Sequence, residues 1–131
     1  MLTIKHYVAP SSIAGVGLFC AEEIKKGQVI FKYDYRFVFL ISDSEIESLP
    51  EGMKDAVLKY SYRGIGKDRL TRAVYYCIDD SRFMNHSDSP NTIWMAGDDT
   101  YVAACNIKRD MELTCNYSDF CEAGEYCFSF N

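Results

Sequence analysis

The apolar residues of this chain fall in short runs, and this constrains the fold class more than any other feature. Phe37-Val38-Phe39-Leu40-Ile41 and Val74-Tyr75-Tyr76-Cys77-Ile78 are typical: five residues each, rich in β-branched and aromatic side chains. Turn-forming residues at Lys26-Gly27, Gly97-Asp98-Asp99 and Lys108-Arg109-Asp110 punctuate the spaces between such runs. The pattern predicts a mainly-β domain, with strands at residues 3–8, 17–21, 28–33, 36–41, 72–78, 92–95, 100–104 and 112–115. Ten Tyr and eight Phe against one Trp make the chain aromatic-rich, so most of these rings must fill a β core. A minority remains to line a channel for a long apolar side chain.

One interval reads as helical. Ser42 and Glu45 have capping-box spacing, Pro50 stops what begins there, and Met53, Val57 and Tyr60 then recur at helical spacing. Ala56 and Leu58 add to the apolar side, and Arg63-Gly64-Ile65-Gly66-Lys67-Asp68 ends the helix in a loop. At 131 residues the chain has room for one domain, residues 1–131.

Charge and cysteine usage exclude several function classes. Net charge is −5 and no basic stretch exceeds two residues, so the clustered Lys and Arg that phosphate contacts need are missing. No direct nucleic-acid binding is expected, whereas an acidic surface suits a basic, lysine-bearing peptide. Met1-Leu2-Thr3-Ile4-Lys5-His6 does not read as a signal peptide, and the apolar runs are too short to cross a bilayer. The expected setting is the cytoplasm, with the nucleus left open and no membrane partner. The six cysteines are then expected as thiols, with Cys20, Cys77 and Cys105 as small core residues. A thiol-redox or metal protein is disfavoured because no Cys-x-x-Cys occurs.

Arg82-Phe83-Met84-Asn85-His86-Ser87-Asp88-Ser89-Pro90-Asn91 is dense in side-chain donors and acceptors. On its residues alone it is either a turn that satisfies its own backbone or a loop that holds a polar ligand. Gly15-Val16-Gly17 is likewise either a hairpin turn or a place where the backbone approaches a ligand with no Cβ in the way. Glu112-Leu113-Thr114-Cys115-Asn116-Tyr117 closes the series.

These three segments, in this order, resemble the SET-domain protein lysine methyltransferases, and most of all the compact stand-alone bacterial or viral forms. The resemblance runs from about Ile4 to Tyr117. It implies a fold of small curled sheets with a C-terminal pseudoknot, a helical insert at about 42–80 and an aromatic tail at about 118–131. It further implies methyl transfer from S-adenosylmethionine to a lysine amine of a protein substrate. Gly15, Val16, Gly17, Arg82, Asn85 and His86 fall on its cofactor-contacting positions, and Tyr117 on that of the catalytic tyrosine beside the cofactor. Asn85 or His86 could instead tie loop to neighbour, and Tyr117 could be a core ring. An ordinary tyrosine titrates near 10, so the resemblance implies positioning at Tyr117 rather than proton abstraction.

The chain departs from the family pattern at two places. Asp88 stands where many members carry a zinc-binding Cys, and Cys121 and Cys127 lack the spacing of the C-terminal ligand set, so no metal is expected. Cys115 stands where many carry a Phe or Tyr that limits methylation, so a roomier substrate channel is expected there. Phe120, with Tyr126, Phe128 and Phe130, is the aromatic supply for walling that channel. The competing reading is a degenerate SET module that binds a peptide without transferring methyl. Intact Asn85, His86 and Tyr117 weigh against it.

Overall fold

The computed structural model describes residues 1–123. Along the chain run β1 (His6–Pro10), β2 (Val16–Cys20), β3 (Val29–Lys32), β4 (Val38–Ser42), α1 (Asp43–Glu47), α2 (Glu51–Lys59), β5 (Ser61–Tyr62), β6 (Ala73–Cys77), β7 (Asn85–His86), β8 (Thr92–Met95), β9 (Thr100–Ala103) and β10 (Glu112–Cys115). Short 3-10 turns at Tyr35–Phe37, Gly66–Thr71, Asp80–Phe83 and Tyr117–Asp119 complete the path. The fold is mainly β with small sheets of three or four strands, as the short apolar runs predict.

The described residues form two compact units, one from Met1–Asp34 with Asp79–Asn116, the other from Tyr35–Ile78 with residues 117–123. The first unit carries two sheets, of strand order β1-β2-β10-β7 and β3-β9-β8. Its core gathers where β2 and β10 pair: Leu18 and Leu113 are register partners and neither exposes any surface. Ile24 and Ile107 add an isolated bridge, both buried. Pro10 is tolerated because β1 is an edge strand, where a missing N–H leaves no ladder bond unmade. The predicted turns are present, and Asp99 and Asp110 take φ of 53° and 66° within them, a left-handed conformation that Asp adopts more readily than most residues.

The second unit holds the antiparallel sheet β4-β6-β5, with Val38 to Ser42 facing Cys77 to Ala73 in register. Ser42 then caps α1 through the expected capping box, its side chain accepting from the Glu45 amide while the Glu45 carboxylate accepts from the Ser42 amide. The Ser42 hydroxyl and amide hold the Glu45 carboxyl below its ordinary value. This short helix ends with Ser48 as its C-cap, and Pro50 is the N-cap of α2. The apolar side expected on α2 is only partly covered: Val57 and Leu58 are half-buried, no residue of the helix is fully buried, and Met53 is 55% exposed.

Other expectations are corrected in detail. Arg36 and Phe37, expected at the start of a strand, instead fall in the 3-10 turn Tyr35–Phe37, where no residue is buried, and the strand begins at Val38. The loop expected through residue 68 gives way at Gly66 to a 3-10 turn. Cys20 and Cys77 are buried as expected, and burial pushes the Cys20 thiol above its ordinary value. Cys105 is exposed instead, because β9 ends at Ala103 and the inward alternation ends with it. Cys127, Tyr126, Phe128 and Phe130 lie outside the described residues.

Because Leu113 is fully enclosed against Leu18, Leu113→Ala should cost about 2–5 kcal/mol in urea unfolding. Leu70→Ala, at a side chain 81% exposed, should stay within about 0.5 kcal/mol.

Candidate functional site

The three sequence segments meet around β10. This strand pairs antiparallel with β2 through Glu112–Phe19 and Leu113–Leu18, and parallel with β7 through Thr114–Asn85 and Cys115–His86. The Ser87 amide extends the parallel pairing by donating to the Cys115 carbonyl at 2.9 Å. Asn91, at the end of the decapeptide, acts as a substitute strand with its side chain. Its Nδ2 donates to the Glu112 carbonyl at 2.8 Å while its Oδ1 accepts from the Thr114 amide at 2.9 Å. Thr92 adds a buried hydroxyl that donates to the Thr114 carbonyl at 2.7 Å.

Asn85 is 7% exposed, and its amide holds the glycine segment. Nδ2 donates toward the Ala14 carbonyl at 3.2 Å, the Val16 carbonyl at 3.1 Å and the Glu112 Oε1 at 2.8 Å. Ser11 reaches the same carboxylate, its hydroxyl 2.8 and 2.9 Å from the two Glu112 oxygens. The Ser11 oxygen also accepts from the Ile13 amide at 2.9 Å, and the Ser11 amide donates to the Gly15 carbonyl at 3.0 Å. The carbonyls of Ala14, Gly15 and Val16 are therefore all engaged by protein donors.

The two glycines of this segment sit in opposite surroundings. Gly15 has φ of +49° and, apart from its chain neighbours, no protein atom within 4 Å of where a Cβ would stand, so its backbone face is open. Gly17 is buried, and a Cβ there would lie 2.1 Å from Glu112 Oε1. A side chain at 17 would have to displace the Glu112 carboxylate.

The other positions named from the sequence lie as follows. Arg82 sits in the 3-10 turn Asp80–Phe83, its Nη1 donating to the Asp79 carbonyl at 3.1 Å and its guanidinium 4.7 Å from the Phe83 ring centre. His86 Nε2 lies 3.1 Å from the Asp88 carboxylate, so the Asp at the position of the family's Cys makes a direct contact with the motif histidine. Cys115 is buried on β10 as the ladder partner of His86. In the second unit, Tyr117 is buried in the 3-10 turn Tyr117–Asp119, with its ring centre 5.5 Å from that of Phe120. Phe120 packs on Tyr62 at 5.0 Å, and Tyr62 stacks on Tyr75 at 5.3 Å. Hydrogen bonds thus join Asn85 to the glycine segment, and ring contacts join Tyr117 to Phe120.

Ser11, Glu112 and Tyr62 drew no assignment from the sequence. Glu112 carried a signal nonetheless, since it heads the third motif; nothing local marked Ser11 or Tyr62. Among the described residues no group of three or more His, Cys, Asp or Glu is placed to hold a metal ion, and no helix is long and apolar enough to cross a membrane.

A family model described as SET domain matches residues 15–118. The chain belongs to the SET domain family. The match begins at the first glycine of Gly15-Val16-Gly17 and ends just after Tyr117, so it embraces all three motifs of this SET domain. The histone-lysine N-methyltransferase NSD3 of Mus musculus is 33% identical over 114 residues, which cover 82% of this chain and 8% of the mouse protein. A Plasmodium falciparum candidate histone methyltransferase of known structure is 25% identical with a TM-score of 0.56, covering 88% of this chain and 95% of that one. The ctPRC2 complex, solved in an autoinhibited conformation bound to S-adenosylmethionine, shares the fold at 22% identity and a TM-score of 0.59, covering 91% of this chain and 16% of that one.

The Asn91 side chain spans two backbone groups of β10, so truncating it leaves both without partners. Asn91→Ala should destabilise the SET domain by about 1–3 kcal/mol in urea unfolding. Asn91→Asp, which keeps the acceptor for Thr114 and loses the donor to Glu112, should fall between parent and alanine variant.

Proposed function

We propose that this SET domain transfers methyl groups from S-adenosylmethionine to a lysine side-chain amine of a protein substrate. The observation that carries the reading is the locked glycine segment. Asn85 fixes the peptide units of Ala14 and Val16 from inside, and the backbone of Gly15 between them is left uncovered. A preformed, open stretch of backbone suits close approach by a polar cofactor. Membership of the SET family and the bound S-adenosylmethionine in the ctPRC2 relative support the choice of cofactor. When bound, that cofactor supplies a methyl group on a positively charged sulfur.

In this reading Gly15, Val16, Gly17, Arg82, Asn85 and His86 hold the cofactor, Asn85 doing so through the backbone it fixes. Cys115 and Phe120 line the channel that admits the lysine. An ordinary lysine amine has a pKa of about 10.4, and a narrow apolar channel lowers it by penalising the charged form. Tyr117 positions the amine through its hydroxyl, and alignment of this kind is worth on the order of 7–11 kcal/mol. The small Cys115 side chain leaves room for more than one methyl group. Residues 1–131 act as one catalytic domain in the cytoplasm, without zinc, because Asp88 replaces a metal-binding Cys and meets His86 instead.

Calorimetry on the purified chain should show S-adenosylmethionine binding with no metal added, and circular dichroism should be unchanged in EDTA. Unfolding in EDTA together with stoichiometric zinc would overturn the metal-free part. A folded chain that binds no cofactor would be a peptide-binding module rather than an enzyme.

Asn85→Ala and Tyr117→Phe should fail differently. The first weakens cofactor binding, because the carbonyls of Ala14 and Val16 lose their donor. The second spares binding and lowers turnover, since its hydroxyl acts at the reacting centre. Steady-state kinetics with mass spectrometry of the product, expected as di- or trimethyl-lysine, reads all of these. Equal activity in both variants and the parent would remove Asn85 and Tyr117 from the site.

A further inference from the structure

Gly17 invites the same explanation as Gly15, that a ligand must come close. Its surroundings are different. Gly15 is exposed and has open space where a Cβ would stand, while Gly17 is buried with the Glu112 carboxylate where its Cβ would stand. A Cβ at residue 17 would lie 2.1 Å from Glu112 Oε1, 2.7 Å from its Cδ and 3.1 Å from the Ser11 Cβ. The space is taken by the protein's own acid.

That acid also gathers the donors that shape the segment. Oε1 accepts from Asn85 at 2.8 Å, and both oxygens lie within 2.9 Å of the Ser11 hydroxyl. Asn85 in turn grips the carbonyls of Ala14 and Val16, and Ser11 grips the amide of Ile13 and the carbonyl of Gly15. An ionised carboxylate accepting from two donors makes stronger bonds than a neutral group. Glu112 therefore orients the two side chains that hold the Ile13 amide and the Ala14 and Val16 carbonyls, while Gly15 is held by the Ser11 backbone amide.

We propose that Glu112 is the positioning residue of the cofactor segment, and that Gly17 is glycine because Glu112 occupies its side-chain space. This rests on the reading that residues 15–17 meet the cofactor. Glu112 itself need touch neither cofactor nor substrate. Its loss should act on binding and leave turnover at saturating cofactor close to that of the parent.

A double-mutant cycle tests the proposal, with S-adenosylmethionine as the probe in calorimetry and urea midpoints measured in parallel. In the parent background, Gly17→Ala should weaken cofactor binding about tenfold or more, because the added methyl displaces the carboxylate. In the Glu112→Ala background the same substitution should cost less than about threefold, since the methyl enters vacated space. Glu112→Gln, which keeps the volume and one acceptor for Asn85, should bind within about threefold of the parent, well above Glu112→Ala. The Km for cofactor should rise in Glu112→Ala while kcat is retained. Equal penalties for Gly17→Ala in both backgrounds would overturn the proposal, as would Gln binding no better than Ala. Should the parent bind no S-adenosylmethionine, the proposed function fails. The urea midpoints still decide whether Gly17 and Glu112 are coupled, and additive midpoints would sink this inference alone.

Discussion

The dependence of the first unit on β10 starts from a property of backbone amides: a buried strand must satisfy donors and acceptors along both of its edges. β10 does so with β2 on one side and, on the other, with a two-residue parallel strand and the side chain of Asn91. The antiparallel side is apolar and supplies the core through Leu18 and Leu113. The parallel side is polar and supplies the motif. Both sides must be made at once, which is why a loop of Asn, His, Ser and Asn can lie against a buried strand without stranding polar groups.

Much of this was legible in the sequence. The strands that carry the core were placed to within a few residues, because alternation and turn chemistry are local signals. β5 and β7 were not, since two-residue strands such as Ser61–Tyr62 and Asn85–His86 have no periodicity of their own and exist only through a partner. The capping box at Ser42 was readable because it is complete within four residues. The exposure of α2 was not, as helical spacing says where apolar residues point without saying whether anything covers them.

The candidate site divides in the same way. The positions of Gly15, Asn85 and Tyr117 came from a family resemblance, which the family match to residues 15–118 bears out as a matter of kinship. What the structure adds is physical cause. Asn85 reads from the sequence as either a ligand contact or a tie between loops, and its amide nitrogen, within 3.2 Å of three protein acceptors, links the glycine segment to Glu112. Gly17 reads from the sequence as a backbone left bare for a ligand; in the structure a carboxylate 95 positions away in the chain (112 − 17) stands where its Cβ would lie. No property of residue 17's neighbours in sequence announces that.

The Ser11–Asn85–Glu112 cluster also bears on the order in which the protein can be built. The hairpin turn at residues 11–15 closes locally, through Ser11 and Gly15, and can form as soon as it is synthesised. Its locking bonds span 101, 69 and 27 residues, from Ser11 to Glu112, Val16 to Asn85 and Asn85 to Glu112. Closing such long loops is costly until the contacts they bring are in place. A growing chain therefore carries the turn early and its rigid form late, only once β10 has emerged. Until then the segment is a hairpin like any other.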